Sequence, residues 1–149
     1  KIKTINIKKR GANMEEELIQ FFIPMKKIPT VTHQEKQVHV VHGKPVFYEP
    51  EELKHARALF MDSFGQHVPE KEMNGKVRLL IKYCFKNNGK HKDGEYKDTK
   101  PDLDNSTKLV QDCLTRLGFW KDDRYVVSLI AEKFWADMPG IFIRIEGVS

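Results

Sequence analysis

The sequence predicts an α+β domain: a mixed or antiparallel sheet with two main helices on one of its faces. Three observations carry this. Residues 76–86 alternate, with Val77, Leu79, Ile81, Tyr83 and Phe85 on one side and Lys76, Arg78, Lys82 and Lys86 on the other. Two segments, about 50–64 and 103–117, repeat apolar residues at helical spacing. The chain closes on two apolar strands, 124–135 and 141–146, joined by a turn around Asp137–Gly140.

The elements follow in order. Residues 18–24 read as a short strand ended by Pro24. Residues 25–37 form a polar, basic loop carrying Lys26, Lys27 and Lys36. Residues 38–48 alternate around His42-Gly43-Lys44, the pattern of a loose hairpin or extended arm. Pro50 followed by Glu51-Glu52 starts a helix: proline fits the first turn, and acids suit the positive end of the dipole. Leu53, Ala56, Phe60 and Phe64 continue it to about Gly65. After the strand at 76–86, residues 87–101 are a Gly/Lys/Asp loop without periodicity. The second helix buries Leu103, Val110, Cys113 or Leu114, and Leu117, and Gly118 stops it.

Length and composition bound the reading. The 149 residues suffice for one domain with a core, and 40% hydrophobic with 10% aromatic content argues for a globular chain. No apolar run reaches the length of a membrane span, and no signal-peptide pattern opens the chain, so a cytoplasmic protein with no membrane partner is expected. Cys84 and Cys113 lie in apolar-periodic segments and read as reduced core residues. The six histidines do not pair with cysteines at zinc-ligand spacing. The net charge of +5 is a weaker signal than it looks. Five of the 26 lysines and arginines, and none of the 21 acids, fall in residues 1–13, so the rest of the chain is neutral. Residues 1–13 are expected to be a non-native or flexible extension, with a single domain over 14–149.

The chemistry concentrates in Lys100-Pro101-Asp102-Leu103-Asp104-Asn105 and in Asp122-Asp123 beyond the next helix. Asp102 marks the loop-to-helix junction, Asp104 follows in the first turn, and Lys108 shares its face four residues on. Hard carboxylate oxygens from Asp102, Asp104 and Asp123 suit Mg²⁺, and Lys108 suits charge developing on a phosphate. Position by position, plainer roles compete. Asp102 is a natural N-cap, Asp104 suits the helix dipole, Lys108 is an i,i+4 partner for Asp104 or Asp112, and Asp122-Asp123 is ordinary turn chemistry. A helix of fifteen residues is about 20 Å long, so a meeting of Asp123 with the other two within one chain is not guaranteed. The phosphate-contacting set expected around the site is Lys26, Lys27, Lys36, Lys44, Lys76, Arg78, Lys82, Lys86, Lys90, Lys92, Lys97 and Lys100. Several rival motifs are excluded. An EF-hand loop from Asp102 would have Thr107 and Cys113 where it needs Gly and Glu. A phosphatase-type DxD ends an apolar strand, whereas Lys97-Asp98-Thr99-Lys100-Pro101 precedes this one. A PD…(D/E)xK nuclease would need a spacer that Glu132-Lys133 lacks, and there is no P-loop or dinucleotide-binding glycine pattern.

The stretch Lys100-Pro101-Asp102-Leu103-Asp104-Asn105, with Lys108, Asp112 and then Gly118-Phe119-Trp120-Lys121-Asp122-Asp123 before a valine-rich strand, resembles the RusA family. These are Holliday junction resolvases, endodeoxyribonucleases often carried by prophages. The likeness extends to the Gly43–Tyr48 arm, the helix over 50–64 and the closing strands, covering about 14–146. It implies a homodimer with two Mg²⁺-dependent sites that nick a four-way DNA junction symmetrically. Asp102, Asp104 and Asp123 would be the essential carboxylates and Lys108 the catalytic-site lysine, with Asp122, Asn105 and Asp112 in support. Some members carry arginines just before the first Asp; Asp98-Thr99-Lys100-Pro101 stands here, and Lys90, Lys92, Lys97 and Lys100 are the substitutes at hand. The alternatives are a junction-binding protein that does not cut, and a metal nuclease for RNA, flap or other branched nucleic acid.

Overall fold

The structure is a computed structural model that describes residues 5–11, 14–30 and 37–149. Among the described residues, seven strands and two α-helices follow in the order β1 (Ile5–Gly11), β2 (Met14–Pro24), β3 (Gln37–Val41), β4 (Lys44–Tyr48), α1 (Glu51–Gly65), β5 (Val77–Lys86), α2 (Leu103–Leu117), β6 (Val126–Ala136) and β7 (Gly140–Gly147). The five-stranded sheet has the order β1-β2-β7-β5-β6, and β3-β4 is a separate hairpin. β7 runs antiparallel to both β2 and β5, whereas β6 runs parallel to β5. The sheet is thus mixed, and β6 forms one edge of it.

Both helices cover one face. Val77, Leu79, Ile81 and Tyr83 of β5 are buried there with Ile19 and Phe21 of β2, Ile141, Ile143 and Ile145 of β7, Ala56, Phe60 and Phe64 of α1, and Leu109, Val110, Cys113 and Leu114 of α2. The period-two and period-3.6 stripes meet in one core. Both cysteines are free, and burial pushes the Cys113 thiol up to about 11, so it packs as a small apolar group at neutral pH.

Residues 5–11, set apart above as an extension, form an edge strand on β2. Its register places Lys8, Lys9 and Arg10 opposite Glu17, Glu16 and Glu15. The basic run and the acidic run that follows it thus belong to one ribbon.

Asp112 is engaged in holding the helices together. Arg57 of α1 donates to Glu49 at 2.6 Å and to Asp112 of α2, and Arg116 approaches the same Asp112 oxygen at 3.3 Å. Asp112, expected to support the carboxylate site, is thus held by two arginines. The Arg57 side chain is 19% exposed, between the surface case that contributes little and the buried case whose loss is severe. Arg57→Ala should destabilise the fold by about 2 kcal/mol, or about 4–8 °C in melting temperature for a chain of this size. Thermal denaturation of the variant checks this, and a shift under about 1 °C would count against the clasp.

Candidate active site

Asp102 takes the N-cap position of α2, with φ −73° and ψ 136°, yet its side chain makes no capping hydrogen bond. Asp104 in the first turn and Lys108 one turn later are exposed, and neither side chain forms a hydrogen bond or ion pair with any described residue. The plainer roles weighed for these residues, cap and i,i+4 pair, are therefore not taken up. Two carboxylates and an ammonium stand free at the positive end of a helix. Asn105 lies beside them, half-buried.

The segment leading to Asp102 is held by two lysines. Lys133 of β6 donates to the carbonyls of Thr99 at 2.6 Å and Pro101 at 2.7 Å. Lys97 donates to the Lys100 carbonyl and the Thr99 hydroxyl. Lys97 is 8% exposed, and its ammonium lies 4.6 Å from the Trp135 ring centre and 5.3 Å from that of Phe85. Burial, and then the adjacent Lys133, hold its pKa below the usual lysine value. Lys97, expected among the phosphate contacts, is thus turned to the Thr99–Lys100 segment and the two rings. The Lys100–Pro101 peptide bond is cis. Tyr83 of β5 completes the support, its buried hydroxyl 3.2 Å from that of Thr107 in α2.

Asp123 is at the opposite end of α2. Gly118, with φ 89°, ends the helix: its N–H meets the Thr115 carbonyl and the Phe119 N–H meets that of Leu114, both at 3.1 Å. Phe119 and Trp120 then turn into the core, fully buried. The Trp120 indole donates to the Thr115 hydroxyl at 2.7 Å, and that hydroxyl donates to the Asp123 carboxylate. Asp122 caps the 3-10 turn Asp123–Tyr125 by accepting from the Arg124 N–H at 2.9 Å. Each residue of Gly118-Phe119-Trp120-Lys121-Asp122-Asp123 except Lys121 therefore has a local part in presenting the exposed Asp123. Thr115 is eleven residues along the helix from Asp104, about 16 Å at 1.5 Å per residue. The three carboxylates do not share a site within one chain, and among the described residues no group of three or more His, Cys, Asp or Glu could hold a metal ion. Asp102 and Asp104 by themselves suit a hard cation that binds through one or two carboxylates and keeps several waters.

The other expected phosphate contacts fall into three groups. Lys26, Lys27, Lys44, Lys76, Lys86, Lys90, Lys92 and Lys100 are exposed. Arg78 and Lys82 are half-buried on the sheet face away from the helices, where Arg78 donates to Ser128 and Lys82 lies 6.0 Å and 5.8 Å from the Phe134 and Phe142 rings. That is the face opposite α2 and its carboxylates. Lys36 lies outside the described residues. Sequence reasoning missed Thr115 and Lys133. A side-chain match to Asp123 was findable from its spacing to Thr115, but the approach of Lys133 to Pro101 depends on the parallel β5–β6 pairing and has no local signal.

Comparison with known proteins gives the family of the chain. Residues 26–146 match the family described as Endodeoxyribonuclease RusA. The chain is 32% identical over 131 residues to a crossover junction endodeoxyribonuclease rusA of Lactococcus phage r1t, covering 87% of this chain and 98% of that protein. It is also 32% identical over 119 residues to the uncharacterized protein YqaN of Bacillus subtilis (strain 168), covering 72% of this chain and 83% of that protein. No helix among the described residues is long and apolar enough to cross a membrane. With the match spanning both ends of α2 and the turn that follows it, the chain belongs to the RusA family of endodeoxyribonucleases.

Proposed function

We propose that this protein is a homodimeric, Mg²⁺-dependent endonuclease that resolves four-way DNA junctions by paired, symmetric nicks. The observation that carries the reading is the unengaged trio Asp102, Asp104 and Lys108 at the start of α2, in a chain of this family. Carboxylates left without a structural partner at a rigid helix end are available to a ligand. Nucleases of this family are metal-dependent. Asp102 and Asp104 would hold the cation, which when bound supplies charge neutralisation at the phosphate and an acidified water. Lys108 donates to a non-bridging oxygen as negative charge accumulates there. The exposed lysines of the 87–101 loop and the 25–30 segment hold the flanking backbone without reading sequence.

The dimer follows from an incomplete site and an open edge. Gly94, Lys97 and Trp135 backbone bonds cover the outer edge of β6 at its C-terminal end only. Its first half carries Val127, Leu129 and Ile130 at 55%, 47% and 43% exposure, an apolar edge that a monomer has reason to cover. Two copies packed through this side about a two-fold axis run their β6 strands antiparallel. The Asp123 end of one protomer then lies at the partner's Lys133 end, where the Pro101 carbonyl and the start of α2 are held. The third carboxylate is supplied across the interface, and two sites related by a two-fold suit a junction with the same symmetry.

Purified protein incubated with a four-way junction and with linear duplexes of the same arms, in Mg²⁺ or EDTA, tests the activity. Junction-restricted, Mg²⁺-dependent nicks at symmetric positions are expected, and binding should weaken steeply with salt. Equal cutting of linear duplex, or no cutting of any DNA with Mg²⁺, would reject the reading.

A further inference from the structure

Three consecutive carbonyls, of Thr99, Lys100 and Pro101, immediately precede Asp102, and each accepts from a lysine ammonium. The two lysines come from outside the helix, Lys97 from the loop and Lys133 from β6. They hold their positions at a cost, since two ammonium groups sit close enough for Lys133 to depress the Lys97 pKa, and neither forms an ion pair with a carboxylate among the described residues. A loop needing only to be tethered would be cheaper to tie with one neutral donor. This one is fixed at every peptide unit up to the first carboxylate, by a strand of the central sheet and an ammonium packed on two aromatic rings.

We infer that Lys133, backed by Lys97, is a positioning residue of the cutting centre, fixing Asp102 and Asp104 through the backbone of Thr99–Pro101. It is not assigned contact with substrate. The inference rests on the proposal that these two carboxylates serve cleavage. Loss of an outer group that orients a metal-holding residue typically costs 10–100-fold.

The test compares Lys133→Met, Lys133→Arg and Asp102→Asn in the full chain. Lys133→Met keeps the apolar stem and removes the donors, whereas Arg restores two N–H groups of similar reach. Hydrogen exchange of the 98–106 backbone is read without metal or DNA, alongside single-turnover cutting of a four-way junction across a Mg²⁺ titration. Expected for Lys133→Met are exchange faster by at least about tenfold at 98–106 alone, a 10–100-fold slower cut and a higher Mg²⁺ requirement, with junction affinity within about twofold. Lys133→Arg should recover most of each. If Lys133→Met melts outright, Lys133→Gln, measured well below its own midpoint, takes its place. Normal cutting by a Met variant whose loop exchanges faster overturns the inference, as does slower cutting with unchanged exchange. Normal cutting by Asp102→Asn instead sinks the functional proposal, while the exchange result still reports whether the lysines order the loop.

Discussion

Asp104→Asn should bind a four-way junction within a few-fold of the unsubstituted protein and cut it at least about a thousandfold more slowly. Asp104 is exposed and bonded to no described residue, so an isosteric amide breaks no contact. The only structural loss is a carboxylate near the positive end of α2, about 0.3–1 kcal/mol. Phosphate binding does not depend on that carboxylate, whose negative charge opposes the backbone, so affinity should hold or improve. The cutting step is different. A cation bound there is worth several kcal/mol of transition-state charge stabilisation; at about 1.4 kcal/mol per factor of ten, losing about 4 kcal/mol gives the thousandfold. Single-turnover cleavage of labelled junction, gel-shift titration in Ca²⁺ and a melting curve on one preparation separate the three quantities. Wild-type cutting by Asp104→Asn would show that the start of α2 is a helix end and nothing more. Slower cutting with equally weakened binding would make it a docking surface.

The core was legible in the sequence because local periodicity reports it. The alternation of 77–85 and the helical repeat of 103–117 both survive into the structure, with boundaries within one or two residues. Gly118 was legible for a similar reason: the left-handed residue that stops a helix is a local requirement. Strand β1 was not, since Lys8, Lys9 and Arg10 read as a charged tail until the register sets them opposite Glu15–Glu17. The chemistry divides along the same line. Asp102, Asp104 and Lys108 are close because a helix makes them so. Lys97 looked like one more loop lysine, and only the return of β6 beside β5 brings Trp135 under its ammonium. The same parallel crossover places Lys133 at Pro101 across more than thirty residues of chain. Asp123 shows the limit most clearly. The sequence measures the helix that separates it from Asp104, but the position of a second chain is not written in the spacing of the first.

The proposed second chain can be detected by mixing two inactive variants. Asp104→Asn and Asp123→Asn homodimers each lack a carboxylate in both sites and should not cut. When they are unfolded together and refolded, random pairing about a two-fold makes about half the dimers heterodimers. If Asp123 acts across the interface, one site of each heterodimer receives both substitutions and the other receives none. That intact site combines Asp102 and Asp104 from the Asp123→Asn chain with Asp123 from the Asp104→Asn chain. Nicking should return to about one quarter of the wild-type site concentration, as single nicks in place of paired ones. If Asp123 acted within its own chain, every site in every pairing would remain broken and mixing would restore nothing. Asp123→Asn keeps an oxygen to accept from the Thr115 hydroxyl, so the turn that presents it is retained. Restored nicking confined to the mixed sample would establish that residues at opposite ends of α2, in different chains, form one cutting centre.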